Sequence, residues 1–232
     1  MKMANPYQSC NGLLAALCLV SPLGFAQGIT VGDGATVNLG DGSLSLNCNN
    51  LTINQGATMD LGAGVVDGIS DFLNGGMLDG GSARLEFTGA WRQTGSFTAG
   101  SGSVNLVDGC GKSISRVRGE STFHDFSVVT GIPRLVIFTA ERTNRVDNAL
   151  SLRGDAAGML TLRSSISGTL TNLHLEPTGT QSIAFVDVAD VQATGQPLAP
   201  GDPTTYQSID SGNNPGWFGE APSPVIFRNG FE

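Results

Sequence analysis

Histidine is all but missing from this sequence, with only His124 and His174 present, and four cysteines accompany them. No Cys-Cys or His-His pair stands at the spacing of a zinc site, so no metal centre is expected. Lysine and arginine total 12 against 20 acidic residues, a formal net charge of -8, which argues against nucleic acid or an anionic membrane as partner. Aromatic residues make up 6% and are mostly Phe at apolar positions, too few for a line of exposed rings on which sugars could stack. Trp91 is the one candidate for such a ring, set against packing in the core or at a corner. Helical periodicity is also scarce, and only Gly68 to Leu73 has the spacing of a brief helical turn. After residue 26 there is no long apolar run, so no membrane span is expected beyond the leader.

What is present begins with a leader. Lys2 precedes the apolar stretch Leu13-Leu14-Ala15-Ala16-Leu17-Cys18-Leu19-Val20, followed by Pro22 and then Gly24-Phe25-Ala26. This is the layout of a cleavable signal peptide over residues 1–26. Its eight apolar residues would span about 12 Å as helix, far short of a hydrocarbon core of roughly 30 Å. Cys18 is preceded by Leu17 where a lipid-attachment site wants a small residue. Cleavage removes Cys10 and Cys18 and leaves Cys48 and Cys110 as an even pair in an oxidising compartment, where a disulfide is expected. Closing a loop of about 62 residues would stabilise the fold by roughly 4 kcal/mol in the chain-entropy model.

The strongest internal signal is repetition. Gly34-Ala35-Thr36-Val37-Asn38-Leu39-Gly40 returns as Gly56-Ala57-Thr58-Met59-Asp60-Leu61-Gly62, an offset of about 22 residues. Gly81 to Phe87 returns more weakly as Gly102 to Val107. Short alternating triplets then recur about 23 or 24 residues apart, the period-2 pattern of strands with one buried face. They are Phe126-Ser127-Val128 with Leu150-Ser151-Leu152 and Leu173-His174-Leu175, and Val136-Ile137-Phe138 with Leu160-Thr161-Leu162 and Ile183-Ala184-Phe185. Asp33-Gly34, Asp41-Gly42, Asn74-Gly75-Gly76, Asp79-Gly80-Gly81 and Asp108-Gly109 separate strands with the glycine that tight corners need. These features predict an all-β, single-domain β-solenoid over residues 27–190 with coils of about 22 to 24 residues, the alternative being an antiparallel β-sandwich. Prolines accumulate after Asp190, so residues 191–232 read as a Pro-rich C-terminal cap and tail, with Trp217 and Phe218 placed to cover the last coil.

Several segments resemble bacterial exported β-strand-repeat proteins of adhesin-like, right-handed parallel β-helix type. They are Gly95 to Asn105, Ser121 to Val128, Ala149 to Gly154, and the stretch Phe185 to Asp190 leading to Asp210 to Phe218. Right-handed winding enters from this resemblance alone. Such segments are often one module of a much longer chain, and here there is barely one. The ending Val225-Ile226-Phe227-Arg228-Asn229-Gly230-Phe231-Glu232 is similar to an Ile-Phe-x-Asp-Gly-Phe-Glu tail of exported Gram-negative proteins, with Asn229 in place of Asp. The resemblance implies a sorting tag and a place in the extracellular space or on the outer cell surface, and it carries over no catalytic residue.

Local chemistry is thin. Gly109-Cys110-Gly111-Lys112-Ser113 looks like a phosphate loop but has Leu106 where the first glycine is required. Gly75 to Gly80 approaches a calcium nonapeptide, with Leu78 replacing a required glycine and no second copy. His174, mid-strand, should face solvent. His124 and Asp125 should point to opposite faces, which weakens them as a base and its orienting partner. Polysaccharide-cleaving β-helices need two carboxylates across a glycosidic bond, or carboxylates holding calcium beside a basic residue, and Asp187 with Asp190 is the best local pair, with Arg163 and Arg153 on preceding coils. Three residues apart, the pair works only if a corner lies between them. The expectation is an exported structural or interaction module without catalytic residues or cofactor, meeting an extracellular glycan or cell-surface protein. The alternative is a carbohydrate-binding or polysaccharide-cleaving protein on the same scaffold.

Overall fold

The computed structural model describes residues 28–219, so the signal peptide expected at residues 1–26 and the ending Val225 to Glu232 lie outside the described residues. The chain enters through β1 (Ile29–Val31), β2 (Thr36–Asn38), β3 (Ser43–Ile53), β4 (Thr58–Asp60) and β5 (Val65–Asn74). It continues as β6 (Met77–Asp79), β7 (Arg84–Phe87), β8 (Ala90–Gln93), β9 (Ser96–Thr98) and β10 (Ser103–Leu106). Next come β11 (Ile114–Arg118), β12 (Ser121–Val129), β13 (Arg134–Phe138), β14 (Thr143–Arg153) and β15 (Leu160–Ser164). The last strands are β16 (Thr171–Leu175), β17 (Thr180–Ala184), β18 (Val186–Ala189), β19 (Val191–Gly195) and β20 (Ile209–Asp210).

Strands make up about 55% of the fold and stack as a β-solenoid of about 8 turns of about 22 residues. Every ladder between these strands is parallel, which excludes the antiparallel sandwich. Three faces result. The first runs through the leading halves of β3 and β5, then β7, β10, the trailing halves of β12 and β14, and β17. The second joins β1, the trailing halves of β3 and β5, β8, β11, β13, β15, β18 and β20. The third joins β2, β4, β6 and β9, then resumes with the leading halves of β12 and β14, β16 and β19.

Alternation in sequence becomes ladders in space. On the first face Val66, Leu85, Val104, Phe126 and Leu150 stand in register, all buried. Full burial of such a side chain contributes roughly 1.5–3 kcal/mol, so the ladders carry the fold. Where coils meet β9 and β12 the interior widens and is filled by rings. Phe72 stacks on Trp91 at 4.6 Å, Phe123 stacks on Phe126 at 4.6 Å, and Phe97 meets Trp91 edge-on at 5.3 Å. Trp91 is therefore core, its Nε1 donating to Ser121 Oγ at 2.9 Å.

Individual registers differ from the expected ones where corner lengths vary. Val104, not Leu106, lies beside Leu85, because that coil is short. Val136 stands beside Leu162 rather than Leu160, and Leu150 beside Gln181 rather than Leu173, because the later corners are longer. Phe185 ends no strand triplet. It occupies a corner at φ 54, and the inward residues after it are Val186 and Val188. Gly68 to Leu73 is strand, not helix. Gly68 at φ 66 bends β5 from the first face to the second within one continuous strand.

The corner after the third face shows why glycine recurs. Gly40, Gly62, Gly81 and Gly100 all have positive φ, and a Cβ on Gly81 would lie 2.1 Å from the Gly62 carbonyl oxygen of the coil beside it. Gly81→Ala is expected to lower stability by about 1–3 kcal/mol or more, read from the urea midpoint, whereas the same change at the open Gly32 should be nearly silent. Parallel pairing continues beyond Asp190 through β19 and β20, and Trp217 and Phe218 are buried at that end, with Leu198 bridged to Trp217.

Candidate functional site

The third face has a break. β2, β4, β6 and β9 form one ladder, and β9 is not hydrogen-bonded to the start of β12, the next strand on that face. The rings of Phe97 and Phe123 face each other across the gap, 6.0 Å between centroids. Half-buried Phe97 thereby keeps part of its ring open to solvent.

A groove follows this seam and turns the corner onto the second face. Its first part, about 340 Å³, is lined by Gln93, Phe97, Ser121, Thr122, Thr143 and Arg145 among others. Its second part, about 540 Å³, is lined by Arg92, Thr94, Arg118, Thr139 and Arg142, and Gln93 and Glu120 border both parts. Both parts are shallow and open to solvent rather than enclosed.

The pattern of ion pairs is uneven. Arg145 is paired with Glu176, whose Oε1 also lies 3.3 Å from His174 Nε2. Arg142 reaches Glu120 only at 3.9 Å, with both side chains exposed, a contact worth little in water. Arg92 and Arg118 are direct partners in the β8–β11 ladder, both exposed, and neither has an ion pair or side-chain hydrogen bond among the described residues. Like charges directly opposite on a sheet repel.

The carboxylate pair proposed from sequence is separated by the corner it required, since Asp190 sits at φ 61 after β18. Each acid is nevertheless committed to its own partners. Asp187 binds Arg163 at 2.8 Å and accepts from Ser211 at 2.6 Å, while Asp190 accepts from Asn213 at 2.7 Å and from the Gly168 N–H at 3.0 Å. Those bonds, first Asn213 and then Gly168, hold the Asp190 carboxyl below its usual range.

His124 and Asp125 do meet, contrary to expectation. A register shift in β12 between Phe123 and Asp125 turns both side chains outward, leaving His124 Nδ1 3.1 Å from Asp125 Oδ1, which also accepts from Asn148 at 2.7 Å. No hydroxyl or thiol among the described residues hydrogen-bonds to His124. His174 faces outward as its strand position requires and is held at Nδ1 by Thr194 Oγ1 at 3.0 Å. No group of three or more metal-ligating side chains occurs among the described residues. No helix among them is long and apolar enough to cross a membrane.

The expected disulfide is present. Cys48 projects from a bulge in β3 and Cys110 from the corner between β10 and β11, with a Cα separation of 5.3 Å. Their strands are three coil steps apart, roughly 14 Å at ordinary strand spacing, so the two loops reach past the coils between them. The segment that resembled a phosphate loop is this corner, and Lys112 lies 3.6 Å from Asp71.

Arg134 fixes the same corner from inside. Its side chain is wholly buried and donates to the carbonyls of Thr88, Val107 and Lys112, to Ser115 Oγ, and to Asp108. Burial pushes the Asp108 carboxyl up, but hydrogen bonds from Thr130, the Gly131 N–H and Arg134, with the arginine's charge, hold it below its ordinary value. A depressed carboxyl stabilises the fold above its unfolded pKa, near 3.9, and this contribution disappears as pH falls through the lower folded value. The stability gap between the native chain and Asp108→Asn should therefore be larger at pH 7 than at pH 3, measured by urea unfolding at both. An equal gap would show that the carboxylate's charge is not what matters.

Sequence reading missed the groove because it is assembled from three coils and one interrupted ladder. One signal was available, since every cation among residues 28–219 lies between Arg84 and Arg163. Comparison of the chain with protein-family models, curated proteins and solved structures found no match in any of the three.

Proposed function

We propose that this protein is an exported, non-catalytic interaction module of the extracellular space or cell surface, adhesin-like in character, whose contact surface is the seam groove. The observation that carries this reading is the pair Arg92 and Arg118, stacked without counter-charge on the wall of an open groove. Such a pair costs stability within the chain and is offset by a partner from outside it. The leader-like residues 1–26, the resemblance to exported repeat proteins, the sorting-like tail and a disulfide suited to an oxidising compartment all support export. Glu120 is the single carboxylate along the groove, whereas glycoside cleavage ordinarily uses two, which supports a binding role over a cleaving one.

Retention of the purified chain on a panel of bacterial and plant glycans and on intact cells, with reducing-end release assayed alongside, tests the reading. Binding without release is expected. Release would overturn the non-catalytic role, and absence of retention on every surface would overturn the interaction role.

A further inference from the structure

We infer that the seam groove recognises an acidic polysaccharide, with Arg92 and Arg118 gripping its carboxylate or sulfate groups and Phe97 receiving the apolar face of a sugar ring. The inference rests on the interaction-module reading and specifies its ligand. Guanidinium forks bind carboxylate and sulfate oxygens two at a time, and two of them stacked one strand apart present donors along the groove rather than at a point. Arg116 follows on the same outward side of β11, exposed and likewise without an ion pair among the described residues, and extends the cationic strip. Arg142 bounds the far wall, where Glu120 at 3.9 Å is the acid nearest to it.

The rest of the lining is chemistry that suits sugar. Thr94, Thr122, Thr139 and Thr143 line the two parts of the groove, and half-buried Phe97 is held edge-on against Trp91. The Thr94 and Thr139 hydroxyls donate to the Asn74 and Val117 carbonyls and so face a sugar mainly as further acceptors, while Thr143 accepts from Asn172. A nucleic acid duplex fits less well. It carries one negative charge per about 1.7 Å of axis, and the solenoid flanks its cationic middle with anionic ends. Residues 28–83 contain six aspartates and no cation, and residues 164–219 also contain acids and no cation. A long, densely charged polymer would be repelled on both sides, whereas an oligosaccharide short enough to stay within the middle, its charges spaced by sugar units, can be gripped there alone.

The test uses the purified chain and its Arg92→Gln/Arg118→Gln variant, titrated at low and high salt with oligogalacturonate, the same oligosaccharide with its carboxyls reduced, a sulfated glycosaminoglycan, and duplex DNA. Expected is binding of at least one acidic glycan, weakened roughly tenfold or more in the variant and by added salt, with the reduced oligosaccharide bound far less tightly. Because both arginines are exposed and mutually repulsive, the variant should unfold no earlier than the native chain, which separates lost binding from lost structure. Equal binding of the reduced oligosaccharide, or undiminished binding by the variant, would overturn the acidic-ligand inference and leave the interaction-module reading intact. Preference for DNA would also overturn it. Failure to bind any glycan, together with no retention on cells, would bring down both.

Discussion

Arg134→Ala is expected to lower the unfolding free energy by about 3–5 kcal/mol, the usual loss when one member of a buried, hydrogen-bonded charge pair is removed. The reason lies in what is left behind. The Thr88 carbonyl and Ser115 Oγ lose a donor in a fully buried position, the part-buried Val107 and Lys112 carbonyls lose theirs, and Asp108 loses its counter-ion. Arg134→Lys should recover only part of the loss, because a single ammonium cannot reach groups on two neighbouring coils at once as the planar fork does. Asp108→Asn should cost much less, since that side chain is partly exposed and the arginine keeps its other partners. Urea midpoints of the three variants give this ranking directly. A loss below about 1 kcal/mol for Arg134→Ala would mean that water or a rearranged corner replaces the guanidinium.

Removing the disulfide is the second large effect. The Cys48→Ser/Cys110→Ser variant should be less stable by about 2–5 kcal/mol, in keeping with a closed loop of 62 residues. Reductant should lower the native midpoint by a similar amount and leave the variant unmoved. The loss should also be local. The bond ties β3 to the corner after β10, so amide exchange after reduction should speed up first in β1 to β5, while the coils from β13 onward keep their protection. Equal midpoints with and without reductant would show that the corner is already held by Arg134 and needs no bond.

Much of the fold was legible because a solenoid repeats its physics. Each coil needs inward apolar residues at alternate positions and glycine at its corners, so Val37 with Met59 and Gly40 with Gly62 announce themselves by spacing alone, whereas Leu78 and Gly81, on a coil of 19 residues, do not. Register was less legible wherever a corner changed length, because the same triplet pairs equally well with either of two neighbours until the loop is known. The long corner after β10 is the clearest case, and its length becomes intelligible only once Arg134 and Cys110 are seen to hold it. The pairing of Cys48 with Cys110 was legible from elimination, since they are the two cysteines outside the expected signal peptide.

The groove was not legible, for two reasons. Net charge averages over the chain, so an acidic total concealed a cationic middle. Bulges also break the rule that neighbours face apart, and one bulge in β12 brought His124 to Asp125. Nor could the residues show that Asp187 and Asp190 would each be satisfied separately, because their partners Ser211 and Asn213 come from the segment after β20 that reads as tail.

Whether the seam is the contact surface is read out by amide chemical-shift mapping of the isotope-labelled chain during titration with whichever acidic glycan it retains, a galacturonate oligomer first. Shifts concentrated at Arg92 to Phe97, Arg118 to Thr122 and Thr139 to Arg145 are expected. Shifts gathered on the first face or at the ends of the solenoid would contradict it.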